Sequence, residues 1–476
     1  MRTQPARVHV IAPAPLGTTA LAALRARGID AQLATSIDSV STDEIIAYAL
    51  GTLPTAATAV ELGATCAAAA ANLRPLCLLA PPLDPPARTK TSRAAIERAA
   101  AIAYLRANGA ALAHDADAWL ESIVLLARHG LPRGPRVAVV APAGSWLEAQ
   151  ALVLVAEADK LDVRAPLVGL GDDDATDVVL YDPAAGSPPA STRQHFLAIP
   201  VAARGELATD PTHLHTTRAA LGAVALLGRA AERIAIGLGP APASASAELA
   251  IDNDRLQRQL AKVAGDRRLP RIGDHETKVL LSAYGIPITR QAVATTPSAA
   301  VKVARKAGYP VEVKPWGNDL PSESAGCPVE KASSDALVRA AFTSVLTAAG
   351  KPTAPDDPAT AVIVREAPPA GRDVTVTLLE LPALGWTVVL EAPGAGIVAA
   401  PAPLRLLDAQ SLAAQVVSSR AGDAEPDRAG LANLLRRASH LVIDLAKEIQ
   451  RLDLSRVVVG GRGTRTLVID AATELR

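Results

Sequence analysis

One lysine is the first residue of this chain that invites chemistry. Lys314 ends a short apolar strand, Val311 to Val313, that begins after the break Gly308-Tyr309-Pro310. An ammonium fixed beside a sheet can hold phosphate oxygens as a point charge. The plainer reading is a lysine whose stem lies on apolar surface while its head reaches water. Three consecutive aspartates, Asp172 to Asp174, lie in the stretch GLGDDDATD. They read as a metal cluster or as a solvated acidic loop, and the surface habit of aspartate favours the loop. Cys66, Cys77 and Cys327 are scattered, with neither a zinc spacing nor a disulfide framework. His9, His195, His213, His215 and His440 show no partner pattern.

The elements around Lys314 have to place it. A helix patterned for burial (Val279, Leu280, Leu281) ends in Tyr284-Gly285-Ile286-Pro287. An amphipathic helix with Val301, Val303 and Ala304 then stops at Gly308, and the Lys314 strand follows. Residues Thr360 to Arg365 read as a strand followed by Glu366, and Gly371-Arg372-Asp373 opens another, Val374 to Leu379. The C-terminal stretch reads as a hairpin: strand Val457 to Val459, a turn over Gly460 to Gly463, strand Leu467 to Ile469, then Asp470.

The first half alternates strands and helices. Residues 6–34 read as strand, Pro/Gly turn, helix and strand. A helix over Thr42 to Leu50, a small strand over Thr58 to Glu61, an Ala-rich helix over Thr65 to Leu73, a strand over Pro75 to Ala80 and a helix over Ala94 to Arg106 follow. A break at Leu131 to Pro135 precedes a second such unit, with a helix over Ser145 to Ala158, strands at Val178 to Tyr181 and His195 to Val201, and a helix over Thr216 to Ile234. Alternation of this kind predicts α/β layers with parallel sheets. Pro240 to Ala247 (PAPASASA) reads as a linker.

Composition narrows the function classes. The 476 residues are 49% hydrophobic and predict two to four domains. Aromatics are 2%, too few for a stacking platform on single-stranded nucleic acid. Lys+Arg and Asp+Glu are both 48, so there is no electrostatic footprint for nucleic acid or an anionic membrane. The most apolar stretch, Ala64 to Ala80, is broken by Asn72 and Arg74 and is too short to span a bilayer. No signal-type apolar core opens the chain, and a cytoplasmic protein is expected.

Together these motifs resemble the NDP-forming acyl-CoA synthetases (acetate–CoA ligase, ADP-forming, related to succinyl-CoA ligase). The match is AYGIP at 283–287, then GYPVEVK at 308–314, as at the entrance of that family's ATP-grasp domain. The resemblance implies two flavodoxin-like parallel-sheet domains (1–131 and 132–240), a linker (241–264) and an ATP-grasp domain (265–476), with 272–476 forming an open mixed sheet with flanking helices. It implies that Lys314, Ser324, Glu366 and Asp373 meet the nucleotide. It places Asp470 and Ser455 at the magnesium ligands, with Lys314 and Asp470 facing one cleft. Asp470 as a mere turn residue is the alternative.

The chain departs from the family at several places. The family reads His-Lys-Ser-Asp-Val-Gly-Gly-Val where this chain reads Ser322 to Val329, so Ser322 replaces the histidine, Glu323 the lysine, and Cys327-Pro328 the two glycines. Glycines let backbone N–H groups approach an anion, and proline has none to offer. Ser455-Arg456 stands at Asn-Pro, and Arg456 would oppose a metal or replace it against phosphate. Only Gly144 of a later glycine run survives. The family's active histidine follows a strand, but here Arg88 leads through Thr89 to Arg93 directly into a helix, and His114 is a poor substitute by position. No catalytic residue is therefore assigned. The family's N-terminal CoA-binding domain has no counterpart, which implies a separate partner subunit; a homo-oligomer is the other assembly expected. The expected function is a catalytically degenerate nucleotide-binding or regulatory relative, with weak ATP and Mg²⁺ binding. The alternative is an active acid–CoA ligase making acyl-CoA, ADP and phosphate from ATP, a carboxylate and CoA.

Overall fold

The computed structural model describes residues 7–82, 92–140, 145, 147, 149, 167–168, 177–182, 197–202, 213–243, 248–249, 251–265, 270–354, 357, 359–393, 396–417, 425–461 and 464–476. The chain divides into two compact units, Met1–Pro85 with Lys90–Gly239, and Pro86–Thr89 with Pro240–Arg476. Several expectations lie outside the described residues: Asp172 to Asp174, Gly144, most of the helix expected at 145–158, His195, Thr89 to Thr91, and the linker core at 244–247.

The first unit opens with β1 (Val8–Ile11), helix Leu16–Ala26, β2 (Ala31–Leu33), β3 (Ile45–Ala49), helix Ala56–Ala71, β4 (Cys77–Leu79), helix Arg93–Ala107, β5 (Ala111–Ala113) and helix Ala116–His129. Its strands form a five-stranded parallel sheet in the order β2-β1-β3-β4-β5. Next come β6 (Val137–Val140), β7 (Leu167–Val168), β8 (Val178–Tyr181), β9 (Leu197–Ala202), β10 (Leu214–His215) and helix Thr217–Ile236. They give a second five-stranded parallel sheet, ordered β10-β9-β8-β6-β7. Numbered from its own first strand, each sheet has the order 2-1-3-4-5.

Two sequence expectations are corrected here. Residues 42–50 carry β3 rather than a helix, because Ile45, Ile46 and Ala47 are buried between β1 and β4, and a central parallel strand reads as a continuous apolar run. Residues 58–61 are helical rather than extended. Thr55 caps that helix by accepting the Thr58 N–H at 3.2 Å, and the alanines beyond it continue the turn.

The two sheets share one apolar core. Val8, Val10 and Ile45 of the first and Val139, Val178 and Leu180 of the second join Ile123 and Leu126 of one helix and Val224 and Leu227 of another. Within it, Arg27 donates to both Glu121 carboxylate oxygens, at 2.5 and 3.1 Å, and Glu121 also accepts the His215 N–H at 3.0 Å. His9 is held between Glu44 and Gln32, and the His114 ring lies against the Ala80 and Pro81 carbonyls, so both have local structural partners.

The second unit begins with helix Asn253–Gly265, β11 (Arg271–Ile272), helix Asp274–Ala283, β12 (Gln291–Ala294), helix Pro297–Ala307, β13 (Val311–Pro315), β14 (Glu330–Ala332) and helix Asp335–Ala348. It continues through β15 (Val362–Glu366), β16 (Gly371–Leu381), β17 (Gly385–Ala392), β18 (Gly396–Pro401), helices Leu406–Val416 and Arg428–Asp444, β19 (Ile449–Gly460) and β20 (Leu467–Leu475). The open mixed sheet expected over 272–476 is instead two antiparallel sheets: six strands ordered β11-β20-β19-β16-β17-β18, and four ordered β12-β15-β13-β14. Three neighbouring pairs, β16–β17, β17–β18 and β19–β20, are joined by connections too short to carry the crossover that a parallel pair needs.

The helix before Lys314 has clear local causes. Thr296 accepts the Ala299 N–H at 3.1 Å and Pro297 opens the first turn. Ala300, Val301 and Ala304 face the core, and Gly308 ends the helix at φ +90°, where a side chain would be strained.

Candidate functional site

Strand alternation builds the site. On β13, Val311 and Val313 face a core shared with Phe342 and Val345, so Glu312 and Lys314 face the opposite side. On β15, Val362 and Val364 join that core, and Ile363 and Arg365 are turned the other way. The register sets Glu312 opposite Arg365 and Lys314 opposite Ile363. The polar face so formed meets β20, with Asp470, and helix Asp274–Ala283, with Asp274 and Lys278.

Lys314 does not reach water; it is 3% exposed. Its ammonium lies 2.7 Å from Asp470 Oδ1, 3.1 Å from Glu323 Oε1 and 3.2 Å from Asp274 Oδ2. Asp470 is equally buried, inside β20 between β11 and β19, and is not a turn residue. Arg365, with no exposure, donates to Glu312 Oε2 at 2.6 and 3.0 Å, to Glu323 at 2.5 and 3.0 Å and to the Ile469 carbonyl at 2.6 Å. Lys278, also fully buried, donates to Asp274, Thr289, Gln291 and the Ile469 carbonyl. Three buried cations therefore face four carboxylates. The half-buried Arg456 brings a fourth positive charge, 3.9 Å from Glu323 and 3.1 Å from Asp373.

Charge and burial compete in this cluster. Burial alone would lift Asp274, but Lys278, Lys314 and Arg365 outweigh it and hold its carboxyl down to about 2. Burial opposes the charged form of Glu323 as well, and Arg365 and Lys314 overcome it to lower that carboxyl. For Lys314 burial is again overcome, by Asp274, Asp470 and Glu323, and its ammonium holds its proton more firmly than a free lysine. Lys278 goes the other way: burial dominates and lowers it to about 8, with Asp274 only partly compensating. The Cys327 thiol is pushed up to about 11, chiefly by burial.

A shallow recess of about 330 Å³, including space open to solvent, is lined by Lys314, Asp470, Asp274, Ser322, Cys327 and Trp316 among others. The expected Lys314–Asp470 juxtaposition is thus present, across 156 positions of sequence. The other expected nucleotide contacts are elsewhere. Ser324 is exposed and bonds Ser322. Glu366 pairs with Arg290 at 2.7 Å, and Asp373 is held by Arg456.

The two residues placed at the magnesium position do meet, Ser455 Oγ donating to Asp470 Oδ2 at 2.5 Å. That oxygen also accepts the Glu323 N–H at 3.0 Å, and Oδ1 takes Lys314. Mg²⁺ takes near-octahedral oxygen ligands, usually one or two carboxylates together with waters and substrate phosphates, so at least one carboxylate oxygen has to be open to it. Here an ammonium stands where the cation would be, and the hydroxyl is turned to donate. No group of three or more His, Cys, Asp or Glu side chains suited to a metal occurs among the described residues. The donor set fits an internal cation and does not fit Mg²⁺.

Sequence reasoning missed Asp274, Lys278, Glu312 and Arg365. Asp274 and Lys278 carried a signal, an acid and a base four positions apart on one helix face. Arg365, inside an apolar strand run, carried another.

Residues 264–475 are an ATP-grasp domain: they match the family model of that description, leaving residues 1–263 outside the match. This stretch is similar to ADP-forming acyl-CoA ligases. The chain is 26% identical over 213 residues to a 4-hydroxybutyrate–CoA ligase [ADP-forming] of Nitrosopumilus maritimus, covering 42% of this chain and 30% of that protein. It is 25% identical over 215 residues to the acetate–CoA ligase [ADP-forming] II subunit beta of Pyrococcus furiosus, covering 43% of this chain and 91% of that subunit. Among solved structures, a dinucleotide-forming acetyl-coenzyme A synthetase 1 of Ca. Korarchaeum cryptofilum, in complex with coenzyme A, Ca-AMPCP and HgCl+, is 25% identical with a TM-score of 0.41, over 46% of this chain and 99% of that one. No helix among the described residues is long and apolar enough to cross a membrane.

Proposed function

We propose that this chain is a catalytically degenerate, nucleotide-binding or regulatory relative of the ADP-forming acyl-CoA ligases. One observation carries the reading: the Lys314 ammonium, which should meet phosphate, is bound at 2.7 Å to Asp470 and at 3.1 Å to Glu323. An incoming phosphate must displace a carboxylate from it, which lowers affinity. Since Asp470 has both oxygens engaged, nucleotide binding should depend little on Mg²⁺.

The rest of the reading concerns organisation. Residues 1–131 and 132–240 are two flavodoxin-like layers, supported by the repeated strand order 2-1-3-4-5. Residues 241–264 link them to the ATP-grasp domain at 265–476. A separate CoA-binding subunit is the partner the relatives suggest, one of them being itself a beta subunit. A cytoplasmic location suits three buried, unpaired cysteines.

Calorimetric titration with ATP, with and without Mg²⁺, together with an assay of acetate, CoA and ATP, tests this. The expected result is weak binding, little changed by Mg²⁺, and no acetyl-CoA. Tight, strictly Mg²⁺-dependent binding with turnover would establish the alternative, an active acid–CoA ligase.

A further inference from the structure

Glu323 holds a larger position than a charge reversal in a loop would suggest. It sits in a single 3-10 turn, Glu323–Ala325, within a partly exposed segment in which Cys327 is buried. Among the described residues, segment 321–328 makes hydrogen bonds and ion pairs beyond itself only through Glu323. The other bonds are internal: Ala325 N–H and Cys327 N–H to the Ser322 carbonyl, Gly326 N–H to the Glu323 carbonyl, and Ser322 to Ser324. Glu323 reaches Asp470 with its N–H, and Lys314, Arg365 and Arg456 with its carboxylate.

The Glu323 carboxylate, two oxygens shared between an ammonium and a guanidinium fork, is the pattern a phosphate presents to Lys and Arg. We infer that Glu323 is an internal surrogate for a phosphate group, and that a phosphate-bearing anion binds here without metal by displacing it. Displacement loosens the segment, because the carboxylate makes every outward polar contact it has except the Glu323 N–H on Asp470. Anion in and loop out are then one equilibrium, and the ligand's grip on Lys314 and Arg365 sets its position. The inference rests on the reading of the site as non-catalytic, and it names the ligand class and the motion that reading lacks.

The test is metal-free. With EDTA present, ADP and inorganic phosphate are titrated into wild type and E323Q, and amide hydrogen exchange is followed over 317–329. E323Q keeps the shape and removes the competing charge, so ADP affinity should rise at least tenfold. In the wild type, saturating ADP should speed exchange over 317–329; in E323Q exchange there should be fast without ligand. Equal ADP affinity in both proteins, or slower exchange in the wild type with ADP, would overturn the inference. The wild-type exchange arm stands alone if E323Q does not fold. Tight Mg²⁺-dependent ATP binding by the wild type would instead defeat the non-catalytic reading, so the two failures are separable.

Discussion

Asp274 shows how closely the buried charges depend on one another. It accepts from Lys278, lies 3.2 Å from Lys314, and takes the Ala471 N–H at 3.0 Å. Removing one partner of a buried pair leaves the others uncompensated and typically costs about 3–5 kcal/mol. D274N should lose stability of that order near neutral pH, read by urea unfolding. Its carboxyl is held at about 2 against an ordinary 3.8, so the unfolded chain binds more protons between those values. The stabilisation is present above 3.8 and is lost as pH falls toward 2, so wild type and D274N should converge on acidification. Lys278 has the same slope at higher pH, because there too the unfolded chain binds more protons than the folded one. With its folded value near 8 and its ordinary one at 10.5, its contribution to stability rises across that window. Lys314 and Asp470 were legible in the sequence because strand ends and a family motif marked them. Glu312 and Arg365 were not, since a charge within an apolar run declares no partner until the register is known.

At the scale of elements, β16 and β19 form the middle of the six-stranded sheet, and their approach is set at Gly371. A Cβ there would lie 2.4 Å from the Val459 carbonyl oxygen, which is backbone and cannot turn aside. G371A should therefore destabilise the second unit by about 1–3 kcal/mol, the usual cost of overpacking, as a lower urea midpoint. Elements with an explicit stop signal were readable: the helix closed by Gly308 and the strand leading to Lys314 stand where the pattern put them. The stretch 42–61 was not. Ile45 and Ile46 in a short apolar run suit a helix or a doubly covered strand equally, and only the flanking β1 and β4 decide. The C-terminal hairpin was readable, whereas the pairings of β16 with β19, β12 with β15 and β13 with β15 were hidden, because those partners lie far apart in sequence.

At the scale of the molecule, each compact unit can be considered alone. The break at 131–135 marks a change of sheet, but the helix before it, Ala116–His129, packs on helix Thr217–Ile236 in a core common to both sheets. A fragment of residues 1–131 should therefore lack a cooperative urea transition, while residues 240–476, which hold their own cores, should show one. A cooperative transition in 1–131 would mean that the first sheet folds independently.

The charge at position 323 also bears on how freely this residue can change. Glutamate and lysine codons differ by a single base, so the lysine that the family resemblance puts at this position is one mutational step away. The neighbourhood is arranged around the carboxylate: Lys314, Arg365 and Arg456 all lie beside it. A lysine returned alone would meet three cations and leave the segment without its anchor. Reversing the charge at 323 therefore calls for coordinated substitutions at its neighbours, since residues in one ion-pair network do not change independently.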